Sequence, residues 1–324
     1  MVRAIRIHEQ GGPEVLRYEE VALSAPGPGE ARVRHTAIGV NYIDTYHRSG
    51  QYKLALPSGL GQEAAGVVEA TGPGVDAVAV GDRVAYCLGP LGAYSEARVI
   101  PAERLVKLPE GVPDRVAASL MLKGLTVQYL FRQTCRPKAG DTVLFHAAAG
   151  GVGLIACQWA RALGITMIGT VSSDEKAALA KANGCTHTIV YTRENFVERV
   201  KAITGGKGVP VVYDSVGKDA FPASLDCLSR YGTWVCFGAS SGAIPPFDIM
   251  LLAQKGSLYA TRPTLATYTA KREDLSAMAA ELFDLVRGGK IVNEPRQQFA
   301  LKDAADAHRA LQSRATTGAT ILLP

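Results

Sequence analysis

A chain of 324 residues exceeds the roughly 100 to 200 residues of one domain and points to two, and 47% hydrophobic with 20% charged residues excludes a disordered protein. Thirty-five Lys and Arg against 30 Asp and Glu leave a charge of +5 with no basic block behind it, so nucleic acid is not demanded as a partner. The six cysteines, at positions 87, 135, 157, 185, 227 and 236, contain no CxxC pair, which excludes a zinc ribbon or a disulfide scaffold and suits free thiols in a reducing cytosol.

The first 14 residues lack the apolar run of a secretory signal, so cytoplasmic residence is the expectation. Short strands are expected over residues 3–8, 30–38, 65–70 and 83–85, separated by the turns APGPGE, TGPGV and GDR, which makes a small β-rich domain. From Thr126 onward strands alternate with helices, the rhythm of a parallel sheet covered on both faces. Strands are placed at 142–145, 166–171, 188–191, 209–214, 233–237 and 257–261, and helices at 151–163, 175–181, 194–203 and 220–228. Six strands complete one doubly wound dinucleotide sheet, and the fold class is α/β. Residues 142–160 carry no Asp, Glu, Lys or Arg and are long enough to span a bilayer. Gly150, Gly151, Gly153, His146 and Gln158 within them argue instead for a buried strand, turn and helix, so no membrane partner is expected. The last stretch reads as helices at 271–287 and 304–312 and an apolar run at 320–323. With the sheet already full, this tail is assigned back to the N-terminal domain, giving one discontinuous domain of residues 1–125 and 265–324 and a coenzyme domain of 126–264.

The sharpest local signal is LFHAAAGGVG at 144–153, a strand running into a small-residue turn and then a helix, in the A-x-G-x-x-G form. Ala148, Gly150 and Gly153 need to lack bulk so that the chain turns sharply and the helix N-terminus approaches a pyrophosphate. An NAD-binding sheet places a carboxylate about 20 residues further on to hold the ribose 2′-OH. Here that stretch reads GTVSS, with no acid until Asp174, placed in the first turn of the next helix, and with Lys176 close behind. A missing acid beside hydroxyls and a cation suits a 2′-phosphate, so NADPH is favoured over NADH. The plainer alternative makes Lys176 a solvated helix residue and Asp174 an N-cap.

The run G-D-x-x-L-x-x-x-A-A-G-G-x-G-x-x-x-x-Q-x-x-R over 140–161 resembles the signature of the quinone oxidoreductase and ζ-crystallin branch of the medium-chain dehydrogenases/reductases. GGPEVL at 11–16, NYIDTY at 41–46, RSG at 48–50, GDRV at 81–84, KGLT at 123–126, YDSVG at 213–217 and SRA at 313–315 extend the likeness over almost the whole chain, closest to the bacterial NADPH:quinone oxidoreductases. The resemblance implies a GroES-like catalytic domain, a Rossmann domain, a coenzyme cleft between them and a homodimer joined through the Rossmann sheets. The zinc enzymes of the same superfamily have their first catalytic Cys where Asn41 stands and a His where Gln62 precedes Glu63, and neither replacement is a good zinc ligand. Their four-cysteine lobe would follow residues 81–84, where only 85–91 intervene, with the single Cys87. No metal is therefore expected, and Cys87 is read as a core or lining residue.

Without a metal, the acceptor must itself take hydride or electrons readily, as quinones and activated alkenes do. Asn41, in a segment read as a loop, is expected to donate an amide N–H to an oxygen, and the resemblance places it beside the nicotinamide as a coenzyme-binding residue, although a turn-forming Asn fits the same pattern. Tyr46 and Tyr52 match family tyrosines near the substrate, and a phenol that stays protonated at neutral pH can donate to a quinone oxygen. Thr126 either orients the carboxamide or caps a helix. The resemblance further places Gly151 and Val152 at the pyrophosphate, Ser172, Lys176, Tyr191 and Arg314 around the 2′-phosphate, and Phe237, Gly238 and Ser240 beside the nicotinamide. Arg262 reaches the same cleft or forms a surface ion pair, and His146 is read as a satisfied core histidine. The leading expectation is a zinc-independent NADPH:quinone oxidoreductase acting on a small-molecule quinone. The alternatives are a 2-alkenal or enone reductase, and a weakly active NADPH-binding protein of crystallin-like or RNA-binding kind.

Overall fold

The computed structural model describes residues 1–324, and the chain divides into a unit of Met1–Leu125 with Thr269–Pro324 and a unit of Thr126–Tyr268. The first opens with β1 (Val2–Ile7), β2 (Arg17–Val21), β3 (Glu30–Val40), α1 (Tyr42–Ser49), β4 (Ser58–Gly59) and β5 (Glu63–Thr71). β6 (Arg83–Cys87), β7 (Ala97–Pro101), β8 (Val106–Lys107) and α2 (Asp114–Tyr129) follow. β3 shows why the chain folds this way: Ala31, Val33, His35 and Ala37 are buried while Arg32 and Arg34 between them face outward, the period-two pattern of a half-buried strand.

The second unit continues through β9 (Thr142–Phe145), α3 (Gly151–Leu163), β10 (Thr166–Val171), α4 (Asp174–Ala182), β11 (His187–Val190) and α5 (Phe196–Ile203). It closes with β12 (Val209–Asp214), β13 (Leu228–Cys236), α6 (Met250–Gln254), β14 (Tyr259–Thr261) and α7 (Leu265–Tyr268). The strand order is β11-β10-β9-β12-β13-β14, parallel throughout. The order reverses between β9 and β12, so the loops after these strands lie at the topological switch point, where such sheets hold their ligands. Leu144, Ile168, Ile189, Val212 and Trp234 pack its core.

The chain then adds α8 (Arg272–Arg287), β15 (Gln297–Ala300), α9 (Ala304–Gln312) and β16 (Thr320–Leu323) to the first unit. β16 pairs antiparallel with β3, Ile321 opposite Gly39, and parallel with β15, in a seven-stranded sheet of order β15-β16-β3-β5-β6-β8 with β7 also paired to β3. β2-β1-β4 forms a separate sheet. Ile5, Val33, Ile38, Leu60, Tyr86, Tyr94, Ile100 and Leu322 share one buried cluster, each such side chain contributing about 1.5–3 kcal/mol.

Several elements depart from the sequence reading. Residues 41–46 belong to a capped helix, α1, not a loop. The helix expected over 220–228 shrinks to a 3₁₀ turn at Ala223–Cys227, because β13 already begins at Leu228. The second unit extends to Tyr268 rather than 264: Tyr268 stacks on Tyr129 at 4.5 Å and 5° and bonds the Thr134 hydroxyl at 3.1 Å. No helix is long and apolar enough to cross a membrane; the uncharged window at 142–160 is β9, a turn and α3.

Candidate functional site

The turn after β9 is shaped by close packing. Ala147 adopts φ 57°, Gly150 N donates to Ala147 O at 3.0 Å, and Ala148 N donates to Thr170 O at 3.0 Å. A Cβ on Gly153 would lie 2.4 Å from Ala147 O and 2.6 Å from Ala148 C. One on Gly169 would lie 2.5 Å from the Ala148 Cβ and 2.7 Å from Cys185 Sγ. Both glycines are therefore required where α3 and β10 close on the turn, and Ala148 between them is fully buried. Gly150 is the N-cap of α3 and has no side chain to cap it. The first-turn amides, those of Gly151, Val152 and Gly153, have no carbonyl one turn earlier and lie at the positive end of a 13-residue helix, the end that favours an anion.

His146 lies within this loop and is occupied internally. Nδ1 bonds Thr170 Oγ1 at 2.9 Å and Nε2 bonds Ser224 Oγ at 3.0 Å, and burial pulls its pKa down; it is a satisfied core histidine. Asp214, at the end of β12, accepts from Val216 N, Gly217 N and Trp234 Nε1. Its backbone oxygen accepts from Phe237 N at 2.8 Å, and Ser240 N donates to Ser215 O at 3.1 Å. A Cβ on Gly238 would lie 2.6 Å from Ser215 O. Phe237, Gly238 and Ser240 are thus laced to the loop after β12. Arg262 forms no surface ion pair of the kind one alternative proposed: Nη1 donates to Cys236 O at 2.9 Å, tying the exit of β14 to the end of β13.

At the ends of β10 and β11 the structure gathers Ser172, Lys176 and Tyr191: Tyr191 N donates to Val171 O, and Thr192 Oγ1 donates to Ser172 O at 3.2 Å. The N-cap of α4 is Ser173, whose Oγ accepts from Lys176 N at 3.3 Å, so Asp174 is not the cap. Its carboxylate is taken by the Arg193 guanidinium through bonds of 2.5 and 2.6 Å. Arg314 belongs to the other unit, exposed just after α9 with φ 60°. Thr126 sits inside α2, buried, and caps nothing.

In the first unit the candidate residues collect on α1. Asn41 caps it in a capping box with Asp44, the pattern that starts a helix in this short polar sequence, and Gly50 ends it at φ 87°. Tyr46 meets Tyr42 edge-on at 5.6 Å and Tyr52 at 5.3 Å, and Tyr52 meets His47 at 5.5 Å. Tyr46 is buried and Tyr52 half-buried.

Asn41 departs from the simple picture of an amide reaching outward. Its Nδ2 donates to Glu63 Oε2 at 2.8 Å, and Lys123 Nζ donates to Asn41 Oδ1 at 2.7 Å and to Glu63 Oε2 at 3.2 Å. Glu63 Oε1 accepts from Leu122 N at 2.7 Å. Asn41, Glu63 and Lys123 are 4%, 0% and 6% exposed. Gly39 leaves the room: a Cβ there would lie 2.3 Å from Glu63 Oε2. The polar groups beside Asn41 are therefore a carboxylate and an ammonium ion, and a cation already in contact with both oxygen donors does not fit a zinc centre.

A second buried chain was not read from the sequence. Tyr94 donates to Asp44 Oδ2 at 2.8 Å and bonds His308 Nε2 at 3.1 Å, whose Nδ1 lies 3.0 Å from Arg48 Nη1. Burial pushes the Asp44 carboxyl up to about 7, and burial with the Arg48 charge holds His308 down at about 3. Lys123 and Glu63 were legible in principle as opposite charges set in the small and apolar runs LMLKGL and GQEAAG, since such charges are seldom buried unless paired. Cys87 is buried in β6, and all six cysteines are free thiols.

Residues 27–110 match the alcohol dehydrogenase GroES-like domain family and residues 151–283 match the zinc-binding dehydrogenase family. The chain is 56% identical over 325 residues to a quinone oxidoreductase of Pseudomonas aeruginosa, covering 100% of both chains. The chain belongs to the quinone oxidoreductase family. The solved structure of Escherichia coli quinone oxidoreductase complexed with NADPH superposes with a TM-score of 0.97 at 51% identity, over 99% of this chain and 100% of that one. A 2-haloacrylate reductase of a Burkholderia species is 49% identical, covering 100% of this chain and 99% of its own. The zinc-binding dehydrogenase match, residues 151–283, contains none of Asn41, Gln62, Glu63 and Lys123, so within the quinone oxidoreductase family its name carries no metal to them.

Proposed function

We propose that this chain is an NADPH:quinone oxidoreductase that works without a metal. The observation that carries the reading is the pairing of an uncapped α3 N-terminus with a β10 end whose nearest following carboxylate, Asp174, is bound to Arg193. NADPH, when bound, supplies the hydride or electrons. Ala148, Gly150, Gly151, Val152 and Gly153 receive its pyrophosphate, and Ser172, Lys176, Tyr191 and Arg314 hold its 2′-phosphate by charge-assisted hydrogen bonds. Thr126, Phe237, Gly238, Ser240 and Arg262 shape the nicotinamide end. Asn41, Tyr46 and Tyr52 orient the quinone and donate to the oxygen on which negative charge grows. The exposed edge strand β14, with Tyr259 and nearby Tyr231 open to solvent, supports a homodimer joined sheet to sheet, and six free thiols support cytoplasmic residence.

The full-length likeness to a 2-haloacrylate reductase favours one second reading, reduction of an activated carbon–carbon double bond on the same scaffold. Loss of NADPH absorbance with benzoquinone and with a 2-alkenal in parallel, after dialysis against EDTA and with NADH as control, decides between them. Chelator-insensitive oxidation with quinone, weaker with NADH, is expected. Activity on the alkenal alone refutes the quinone reading, and activity abolished by EDTA refutes the metal-free one.

A further inference from the structure

Three buried polar side chains meet where β5, α2 and the start of α1 converge, and their number exceeds what packing asks for. Replacing a buried ion pair by apolar residues of similar volume is often neutral or stabilising, so stability alone does not account for Lys123 and Glu63. Their geometry does something more specific. Glu63 is immobilised at both oxygens, by Leu122 N on one and by Asn41 Nδ2 and Lys123 Nζ on the other. Lys123, held by Glu63, donates to Asn41 Oδ1 at 2.7 Å. An amide has two orientations related by a flip. Here the ammonium ion donates only to an oxygen and the carboxylate takes only an N–H, so one orientation is favoured, with one Nδ2 hydrogen bonded to Glu63 and the second not used by that bond.

We propose that Lys123 is a positioning residue for quinone reduction, its ammonium group locking the Asn41 amide with the N–H side toward the acceptor oxygen. The inference rests on the proposed function and deepens it by naming what orients the donor. Without Lys123 the amide oxygen has no donor opposite it and only the single bond to Glu63 resists a turn, after which the carbonyl oxygen meets an acceptor oxygen that is gaining negative charge. A donor becomes a repelling acceptor, with no change in coenzyme binding. Asn41 also begins α1, which carries Tyr46, so the amide and this phenol share one helix, against which Tyr52 packs.

The test compares wild type with Lys123→Met, Lys123→Arg and the double variant Lys123→Met/Glu63→Gln, using benzoquinone and hexenal as acceptors and fluorescence titration for the NADPH dissociation constant. Lys123→Met is expected to lower kcat with benzoquinone about 100-fold, the scale of one lost oxyanion donor, with NADPH affinity unchanged. Lys123→Arg, which keeps the charge, recovers part of kcat. The double variant leaves no unpaired buried charge and regains the wild-type thermal midpoint while its kcat stays low. A double variant that regains both midpoint and kcat overturns the proposal, because the pair would then be structural. Loss of NADPH binding in step with kcat overturns it too. A wild-type protein inert toward benzoquinone and active on hexenal refutes the quinone reading alone, and the same kcat comparison on hexenal then decides Lys123.

Discussion

His308 makes the stability of the first unit depend on pH in a way that can be worked out from its contacts. Tyr94 donates to Asp44, so its oxygen takes the Nε2–H of His308, and Nδ1 is the acceptor facing Arg48 Nη1 at 3.0 Å. Burial disfavours the charged ring, and a second proton on Nδ1 would set two donors against each other beside a guanidinium charge, so the imidazole is held from 6.5 down to about 3. The folded pKa is depressed, so the unfolded chain binds the extra proton first, and stability falls as pH drops below 6.5 and goes on falling to about 3. At about pH 5 the folded ring is still neutral while the unfolded one is favoured about 30-fold by protonation, a loss of about 2 kcal/mol relative to about pH 7.5. This figure depends on the unfolded value and hardly on how far below 5 the folded one lies. Guanidinium unfolding of wild type and His308→Gln at the two pH values should show a loss on acidification smaller by about 2 kcal/mol in the variant. An equal loss in both proteins refutes the neutral, doubly bonded histidine.

Asp44 acts with the opposite sign: its carboxyl is raised from 3.8 to about 7, so its contribution grows as pH falls through that window and is lost above it, and Asp44→Asn should steepen the acid loss by about 2 kcal/mol in the same assay. Gly153→Ala forces a methyl to within 2.4 Å of Ala147 O; overpacking of that kind costs about 1–3 kcal/mol, and calorimetric titration should show NADPH binding weakened about tenfold or more, an unchanged dissociation constant counting against the pyrophosphate site. Lys176→Ala should weaken NADPH about tenfold, the scale of one charge-assisted hydrogen bond, and leave NADH where it was; equal effects on both coenzymes would remove Lys176 from the 2′-phosphate.

What the sequence disclosed follows from how local each signal is. β9, α3, β10 and β12 were legible to the residue, because buried parallel strands read as uninterrupted apolar runs and Gly150 and Gly153 mark the turn between strand and helix. α1 was missed because NYIDTYHRS has low helix propensity, and its start is marked only by the short Asn41–Asp44 cap, in which Asn41 N donates to Asp44 Oδ2 at 2.9 Å. The 220–228 helix failed for the converse reason: tertiary pairing with β12 claims Leu228 for a strand. Among the candidate residues, the turn at 148–153 and the end of β10 were visible because each lies within one short segment. The Asn41–Glu63–Lys123 cluster and the Asp44–Tyr94–His308–Arg48 chain join residues 22 to 260 positions apart, and no spacing rule reaches across such distances.

The placement of β16 also governs the order in which this protein can be made. Its residues pair with the 38–40 stretch of β3 and are synthesised long after it. The second unit, complete at Tyr268, can close while synthesis continues, whereas β3 keeps a bare strand edge of apolar Ile38 and Val40 until Leu322 arrives. Such an edge invites pairing with another nascent chain. Crowded translation, or a ribosome stalled before β16, therefore endangers the first unit, and a chaperone that shields β3 during that interval would raise yield without altering the finished fold.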